Sequence, residues 1–128
     1  MKLPTAAILI SVLISCHTVD TETENAIKGT FETLTDDLLS GKRDGVNRHC
    51  TLNGLASISG HFDMESESGL KELGVLFRDQ KISGFQRTQH PKRVRMFIGR
   101  YQQTTGKSAI DFIRVGDTWK VEAYLAGK

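Results

Sequence analysis

The spacing of apolar residues changes once along this chain of 128 residues, at about Asp79. Before that point apolar side chains recur every three or four positions, as on one face of an α-helix; the clearest run is Ile27, Phe31, Leu34 and Leu38. Beyond it they alternate with polar side chains, as in strands that have one buried face. Because the helical segments come first, the sequence predicts an α+β domain whose N-terminal helices pack on an antiparallel sheet.

Two helices are predicted at the start of the domain. A capping-box pattern at residues 21–24 and the helix stop at Gly41 place the first helix at about residues 22–40. A second, short helix is predicted from Asp44, as its cap, through His49, with Cys50 on its buried side.

The segment between the short helix and the sheet is predicted to hold one strand and one more helix. Residues 51–59 alternate in polarity, which favours a strand. A helix capped by Asp63 or Ser66 then follows. Its buried stripe is Leu70, Leu73 and Phe77.

Four strands are predicted in the second half, at residues 82–88, 93–102, 108–115 and 119–125. Gly116 and Asp117 form a two-residue hairpin signal between the last two. Strict alternation places Trp119, Val121, Ala123 and Leu125 on one face of the final strand, opposite Glu122 and Tyr124. We therefore expect Trp119 to be a buried core residue that faces the first helix.

The order of these elements and the last hairpin resemble a known superfamily. The first helix ends in Leu-Leu-Ser-Gly at residues 38–41, and residues 111–121 read Asp-Phe-Ile-Arg-Val-Gly-Asp-Thr-Trp-Lys-Val. In these features the chain is similar to the nuclear-transport-factor-2-like superfamily, in particular its small secreted members of undefined activity. The resemblance implies a cone-shaped fold in which helices cover a strongly curved sheet. It implies no single activity, since ketosteroid isomerases and polyketide cyclases share the fold.

Residues 1–16 have the order of a secretory signal: Lys2, an uncharged stretch, and small residues at the end. The stretch is shorter than the ~20 apolar residues of a membrane-spanning helix. The sequence therefore predicts a secreted protein with one domain at residues 17–128 and no transmembrane segment. In the alternative, residues 13–16 are a bacterial lipobox and Cys16 bears a lipid anchor.

Cysteine and histidine usage predicts neither a disulfide nor a metal site. If cleavage follows Cys16, Cys50 is the only cysteine left, and we expect it to be buried rather than paired between molecules. The four histidines lack the close spacing of zinc ligands. No cofactor motif is present either, and we expect no cofactor.

Charge is unevenly distributed although its sum is small. Only Lys2 leaves with the signal, so a formal charge of +1 remains, which indicates no nucleic-acid partner. Residues 82–110 contain no acid, whereas acids are frequent at residues 20–44. This polarity fits two solvated faces, or a surface for an acidic partner on strands 87–100. The basic residues of that surface would be Arg87, Lys92, Arg93, Arg95 and Arg100.

The superfamily resemblance suggests candidate catalytic residues. Isomerase-like members use a carboxylate base with a tyrosine and an acid, and dehydratase- or cyclase-like members use a histidine with an aspartate. The corresponding candidates are Asp36, Asp37, Tyr101, Asp111, Tyr124, His49 and His61. None lies in a local motif, so the sequence assigns no catalytic residue and leaves the ligand-binding residues unknown.

The sequence thus favours an exported, non-catalytic domain that binds a small apolar ligand in its cone or a partner on its surface. One alternative is an isomerase- or dehydratase-like enzyme that uses Asp or His in the cone. The other is an interaction module that binds an acidic partner through basic strands 87–100. A homodimer is compatible with each of these.

Overall fold

Four helices precede four strands in the computed structural model, which describes residues 18–99 and 108–126. The elements are α1 (Thr21–Leu39), α2 (Arg43–Arg48), α3 (Leu52–Ser59), α4 (Glu67–Asp79), β1 (Ile82–Arg87), β2 (Arg93–Ile98), β3 (Ser108–Val115) and β4 (Thr118–Leu125). Each strand pairs antiparallel with the next, which gives the order β1-β2-β3-β4. The predicted α+β class is confirmed. The sheet of the described strands is open, so the cone shape stays a prediction.

Several predicted features lie outside the described residues. They are the signal segment with Cys16, the end of the second predicted strand with Arg100, and Tyr101. In the part of the chain that is described, no helix is both long and apolar enough to cross a membrane.

The helix starts depend on side-chain caps that the sequence predicts in part. Asp20 caps α1 by accepting a hydrogen bond from the backbone N–H of Thr23, and Ser66 caps α4 in the same way through Gly69. The predicted Asp44 cap is wrong: Lys42 occupies the cap position of α2 without a side-chain bond, and Asp44 lies in the first turn. There its carboxylate still faces the positive end of the helix dipole.

The strand predicted at residues 51–59 is wrong, because this segment forms α3. The Thr51 hydroxyl accepts a 3.0 Å hydrogen bond from the backbone N–H of Gly54 and so starts a helix. The two buried residues of α3 are Gly54 and Ile58, four positions apart on one helical face. In eight residues this spacing is hard to distinguish from strand alternation.

The segment from His49 through α3 covers the free edge of β4. The backbone N–H of Val121 donates to the carbonyl of His49 at 2.8 Å, and the N–H of Thr51 donates to the carbonyl of Val121 at 2.9 Å. The hydroxyl of Ser57 accepts from the N–H of Tyr124 and donates to its carbonyl. These bonds satisfy backbone groups that would otherwise offer an edge for pairing with another chain.

One face of the sheet packs against the helices and forms the core. Its buried side chains include Ile27, Phe31, Leu34, Leu38, Leu70, Leu73, Phe77, Val94, Met96, Ile98, Ile110, Phe112 and Val121. The rings of Phe31 and Phe77 lie 5.2 Å apart, and those of Phe77 and Tyr124 lie 6.1 Å apart. Aromatic side chains therefore occupy the space between α1, α4 and β4.

A β-bulge in β4 corrects the predicted faces of that strand. Asp111 pairs with Ala123 but Phe112 pairs with Val121, so Glu122 is an extra residue. The bulge turns Tyr124 into the core, where it is 7% exposed, and leaves Leu125 at the surface. Trp119 packs against the core, as predicted, but its side chain is half-buried rather than buried.

Gly54 is required by the close approach of α3 to β4. A Cβ atom at this position would lie 2.0 Å from the carbonyl oxygen of Val121, whereas one at Gly29 would meet nothing within 4 Å.

We expect Gly54→Ala to lower the free energy of unfolding by on the order of 2 kcal/mol, since the clash outweighs the better helix propensity of alanine. In urea unfolding, Gly29→Ala should instead raise stability by ~0.5–1 kcal/mol. Equal effects of the two substitutions would contradict this packing.

Candidate functional site

Asp111 is a buried carboxylate on the sheet face that points away from the helices. It lies in the middle of β3, directly opposite Arg95 of β2 and Ala123 of β4. Its neighbours along the strand, Ile110 and Phe112, point into the core. The residue is nevertheless 0% exposed, which is rare for an aspartate unless charged partners surround it.

The partners of Asp111 are two arginines that share one face of β2. Arg93 donates from Nε to Oδ2 at 2.8 Å, and its Nη2 also lies 2.8 Å from Oδ2. Arg95 donates from Nε to Oδ1 at 2.8 Å and from Nη2 to Oδ2 at 3.2 Å. One carboxylate thus fixes two guanidinium groups, and we call these three residues the Asp111 triad.

The triad keeps a positive charge because two cations share one anion. The hydrogen bonds that Arg95 donates to Asp111 raise the pKa of Arg95 above its ordinary value. The arginine side chains are 32% and 38% exposed, so both reach solvent while their inner nitrogens are bound. Among the described residues, no bond engages Nη1 of either arginine. Those N–H groups can therefore donate to an outside acceptor.

An open cleft of about 530 Å³ lies over the triad. The other residues that line it come from the end of β1 and the following turn: Gln86, Arg87, Thr88, Gln89 and His90. The lining combines three arginines and one carboxylate with amide and hydroxyl groups, which both donate and accept hydrogen bonds. We call this the Asp111 cleft; it suits an anionic group attached to a polar molecule.

The basic residues predicted on strands 87–100 have different roles in the structure. Arg93 and Arg95 belong to the triad, whereas Arg87 donates to the backbone carbonyl of Thr18 at 2.9 Å and lies 3.7 Å from Asp20. Lys92 is exposed in the turn between β1 and β2, and Arg100 lies outside the described residues. The alternating burial of β2 places Arg93, Arg95 and Phe97 together on the outer face of the sheet.

The candidate catalytic residues that lie in the described part of the chain do not come together in one site. Asp111 lies on the outer sheet face, whereas Tyr124 lies in the core, 5.4 Å from the exposed ring of His61. Asp36 is exposed on α1. The prediction that Tyr124 and Val121 lie on opposite faces of β4 is wrong, because the bulge places both side chains in the core.

One carboxylate–histidine contact does form, between Asp37 and His49. Asp37 Oδ2 lies 3.5 Å from His49 Nε2, at the junction of α1 and α2. A Cβ at Gly45 would lie 2.2 Å from the same Oδ2, so the carboxylate packs directly on the backbone of α2. The contact joins two helices, and it is separate from the Asp111 cleft.

Cys50 follows His49 but is not an activated nucleophile. The cysteine is buried, as predicted, and burial raises the pKa of its thiol from 9.0 to about 12. The thiolate is the reactive form, so the native protein holds this group in its unreactive state. In the described part of the chain, no group of three His, Cys, Asp or Glu residues could hold a metal ion.

Sequence reasoning missed the triad although both arginines and Asp111 were named. The alternation of β2 and β3 indicates that all three residues face outward. The register that sets Arg95 opposite Asp111 is a pairing between distant residues, which the pattern of either strand alone does not specify.

Comparison with known proteins gives no relative for this chain. No family model matches it, and no curated protein or solved structure matches it either. The superfamily resemblance therefore remains a prediction.

Asp111 should contribute strongly to stability. Replacing it by Asn leaves two guanidiniums without their shared anion. We expect a loss on the order of 2–3 kcal/mol in the free energy of unfolding, less than for a fully buried pair because both arginines stay partly solvated. Asp117→Asn, in the exposed hairpin turn, should change stability by less than ~0.5 kcal/mol. Equal urea midpoints for the two variants would show that the triad is not an organising contact.

The thiol of Cys50 should react only after unfolding. In a chain that contains Cys16→Ser, Ellman's reagent should modify no thiol in the native state and one in urea. Because folding raises the pKa of the Cys50 thiol, the contribution of this neutral thiol to the free energy of unfolding is complete below pH 9.0. It is lost as the pH rises towards about 12. The decrease in stability between pH 9 and pH 12 should be smaller in the Cys50→Ala variant. Rapid modification of the native chain would contradict the buried position of Cys50.

Proposed function

We propose that this protein is an exported binding module for an anionic partner, which it holds in the Asp111 cleft. The observation that supports the proposal is the Asp111 triad, in which one buried carboxylate fixes two arginines whose side chains remain partly exposed to solvent. This is the acidic-partner alternative predicted from strands 87–100, centred on the residues of β2.

The chemistry of arginine favours this interpretation. A guanidinium is planar and always charged, and it binds carboxylate, sulfate or phosphate oxygens through paired N–H groups. A free arginine loses side-chain entropy when it binds, whereas Arg93 and Arg95 are already held by Asp111. The triad therefore reduces the entropic cost of binding an anion and keeps a net positive charge beside the ligand.

The helix side of the sheet gives weaker support for an apolar ligand. Phe31, Phe77 and Tyr124 fill the space between helices and sheet by direct ring contacts. A groove of about 450 Å³ next to Phe31 and Phe77 is open, and its lining includes Lys28, Glu32, Asp36 and Arg78. Such a mixed, charged lining differs from the mainly apolar pockets that hold small apolar ligands.

Heparin, used here as a polyanion, provides the first test. The protein should elute from a heparin column above the physiological ionic strength of ~0.15 M, and Arg95→Gln should elute at lower salt. Arg48→Gln, which removes the same charge from the exposed end of α2, is the matched control and should elute like the parent chain. Equal shifts for the two variants would mean that only net charge matters and would contradict the site.

A second variant separates a built site from simple charge attraction. Asp111→Asn removes a negative charge, so a purely electrostatic surface would bind the column more tightly. If the carboxylate positions the two arginines, the variant should bind more weakly despite its higher net charge, provided that circular dichroism shows a folded chain. Tighter binding by the folded variant would contradict the positioning role of Asp111.

A further inference from the structure

A second cleft, of about 310 Å³, lies at the same end of the sheet as the Asp111 cleft. Its lining combines one aromatic residue with several cations: Trp119, Arg87, Lys92 and Arg114, together with Thr23, Pro91 and Gly116. We call it the Trp119 cleft. No acidic residue is among those that line it, and Trp119 is the chain's only tryptophan.

Local contacts hold the lining of the Trp119 cleft in place. Trp119 packs against the core and is only half-buried, so part of the side chain remains at the surface. Arg114 lies opposite Trp119 across the hairpin, and its Nε donates to the carbonyl of Gly116 at 3.1 Å. The backbone N–H of Arg114 also donates to the carbonyl of Lys92 at 2.9 Å, which ties the β1–β2 turn to β3.

The two clefts are neighbours that meet at the β1–β2 turn. Arg87 lines both of them, and the residues that follow it are divided between them: Gln89 and His90 line the Asp111 cleft, whereas Pro91 and Lys92 line the Trp119 cleft. Trp119 and Arg114 lie on the helix-packed face of the sheet and Asp111 lies on the outer face, so the two clefts open on opposite faces. A ligand that contacts both must therefore be an extended chain that passes around the turn.

The combined lining of the two clefts is complementary to a ligand with three properties. Arginine and lysine favour anionic groups, and the amides of Gln86 and Gln89 suit hydroxyl groups, which donate as well as accept. The negative face of an indole attracts the weakly positive C–H groups of a saturated ring. Sugar rings that bear carboxylate or sulfate groups have all three properties.

We propose that the partner is an acidic polysaccharide, whose anionic groups bind in the Asp111 cleft while one sugar ring stacks on Trp119. This inference rests on the proposed anion-binding function and specifies the class of ligand. A single-stranded nucleic acid would gain most from a row of aromatic side chains, one for each stacked base. The two clefts offer one indole, that of Trp119, and one imidazole, that of His90, which line different clefts and form no such row.

Tryptophan fluorescence tests the inference directly, because all the emission comes from Trp119. A sulfated, uronate-containing hexasaccharide prepared from heparin should bind and change the emission. Linear hexaphosphate, which is anionic but has no ring, should bind with lower affinity and leave the emission unchanged. A hexamer of thymidylate tests the nucleic-acid alternative.

Variants assign the binding energy to each cleft. By calorimetry, Trp119→Leu should weaken the hexasaccharide about tenfold, as expected for the loss of one stacked ring, and leave hexaphosphate unaffected. Lys92 lines only the Trp119 cleft, so Lys92→Gln should weaken hexasaccharide binding severalfold. This variant keeps the test valid if Trp119→Leu does not fold. Lys81→Gln is the matched control, exposed at the far end of β1, and should change neither affinity.

The outcomes separate this inference from the proposed function. Binding of both polyanions that depends on Arg95 but not on Trp119 or Lys92 would overturn the polysaccharide inference and leave the anion-binding function intact. Tighter binding of the thymidylate hexamer with the same Trp119 dependence would also overturn it. Binding of none of the three probes would contradict both.

Discussion

The pairing of Asp111 with Arg93 and Arg95 is the interaction on which the outer half of this structure depends. Burial of a lone carboxylate would be costly, and so would two adjacent guanidiniums without an anion. Together they fix the side chains of β2 against β3 and favour the register in which Arg95 lies opposite Asp111. They also leave a cationic surface in water, so one contact supports both the sheet and the proposed binding of anions.

Helices cover one face of the sheet and leave the outer face, which holds the proposed anion site, open to solvent. Helices α1 and α4 bury the covered face, and the bulge at Glu122 adds Tyr124 to an aromatic group that already contains Phe31 and Phe77. The edge of β4 is occupied by α3, whose close contact depends on Gly54. The β1–β2 turn, with one cleft on each face of the sheet, combines an excess of cations with polar groups and the side chain of Trp119.

Local patterns were sufficient to predict most of the fold. The α+β class, the stripe of α1, the Ser66 cap and the last hairpin all depend on residues close in sequence. The errors arise where distant segments meet. Residues 51–59 are a helix because they pack on β4, and Tyr124 is buried because a bulge reverses the end of β4. The triad was missed for the same reason, since its geometry follows from the register of β2 and β3 rather than from any local motif.

The central claim is that Asp111 holds both guanidiniums in fixed positions before any ligand binds. Nuclear magnetic resonance of arginine side chains measures this directly, because an Nε–H that donates to a carboxylate exchanges slowly with water. Near neutral pH, the free protein should show slowly exchanging Nε–H signals for Arg93 and Arg95, and both should be lost in a folded Asp111→Asn variant. Signals that exchange as fast as that of the exposed Arg48 would contradict the account.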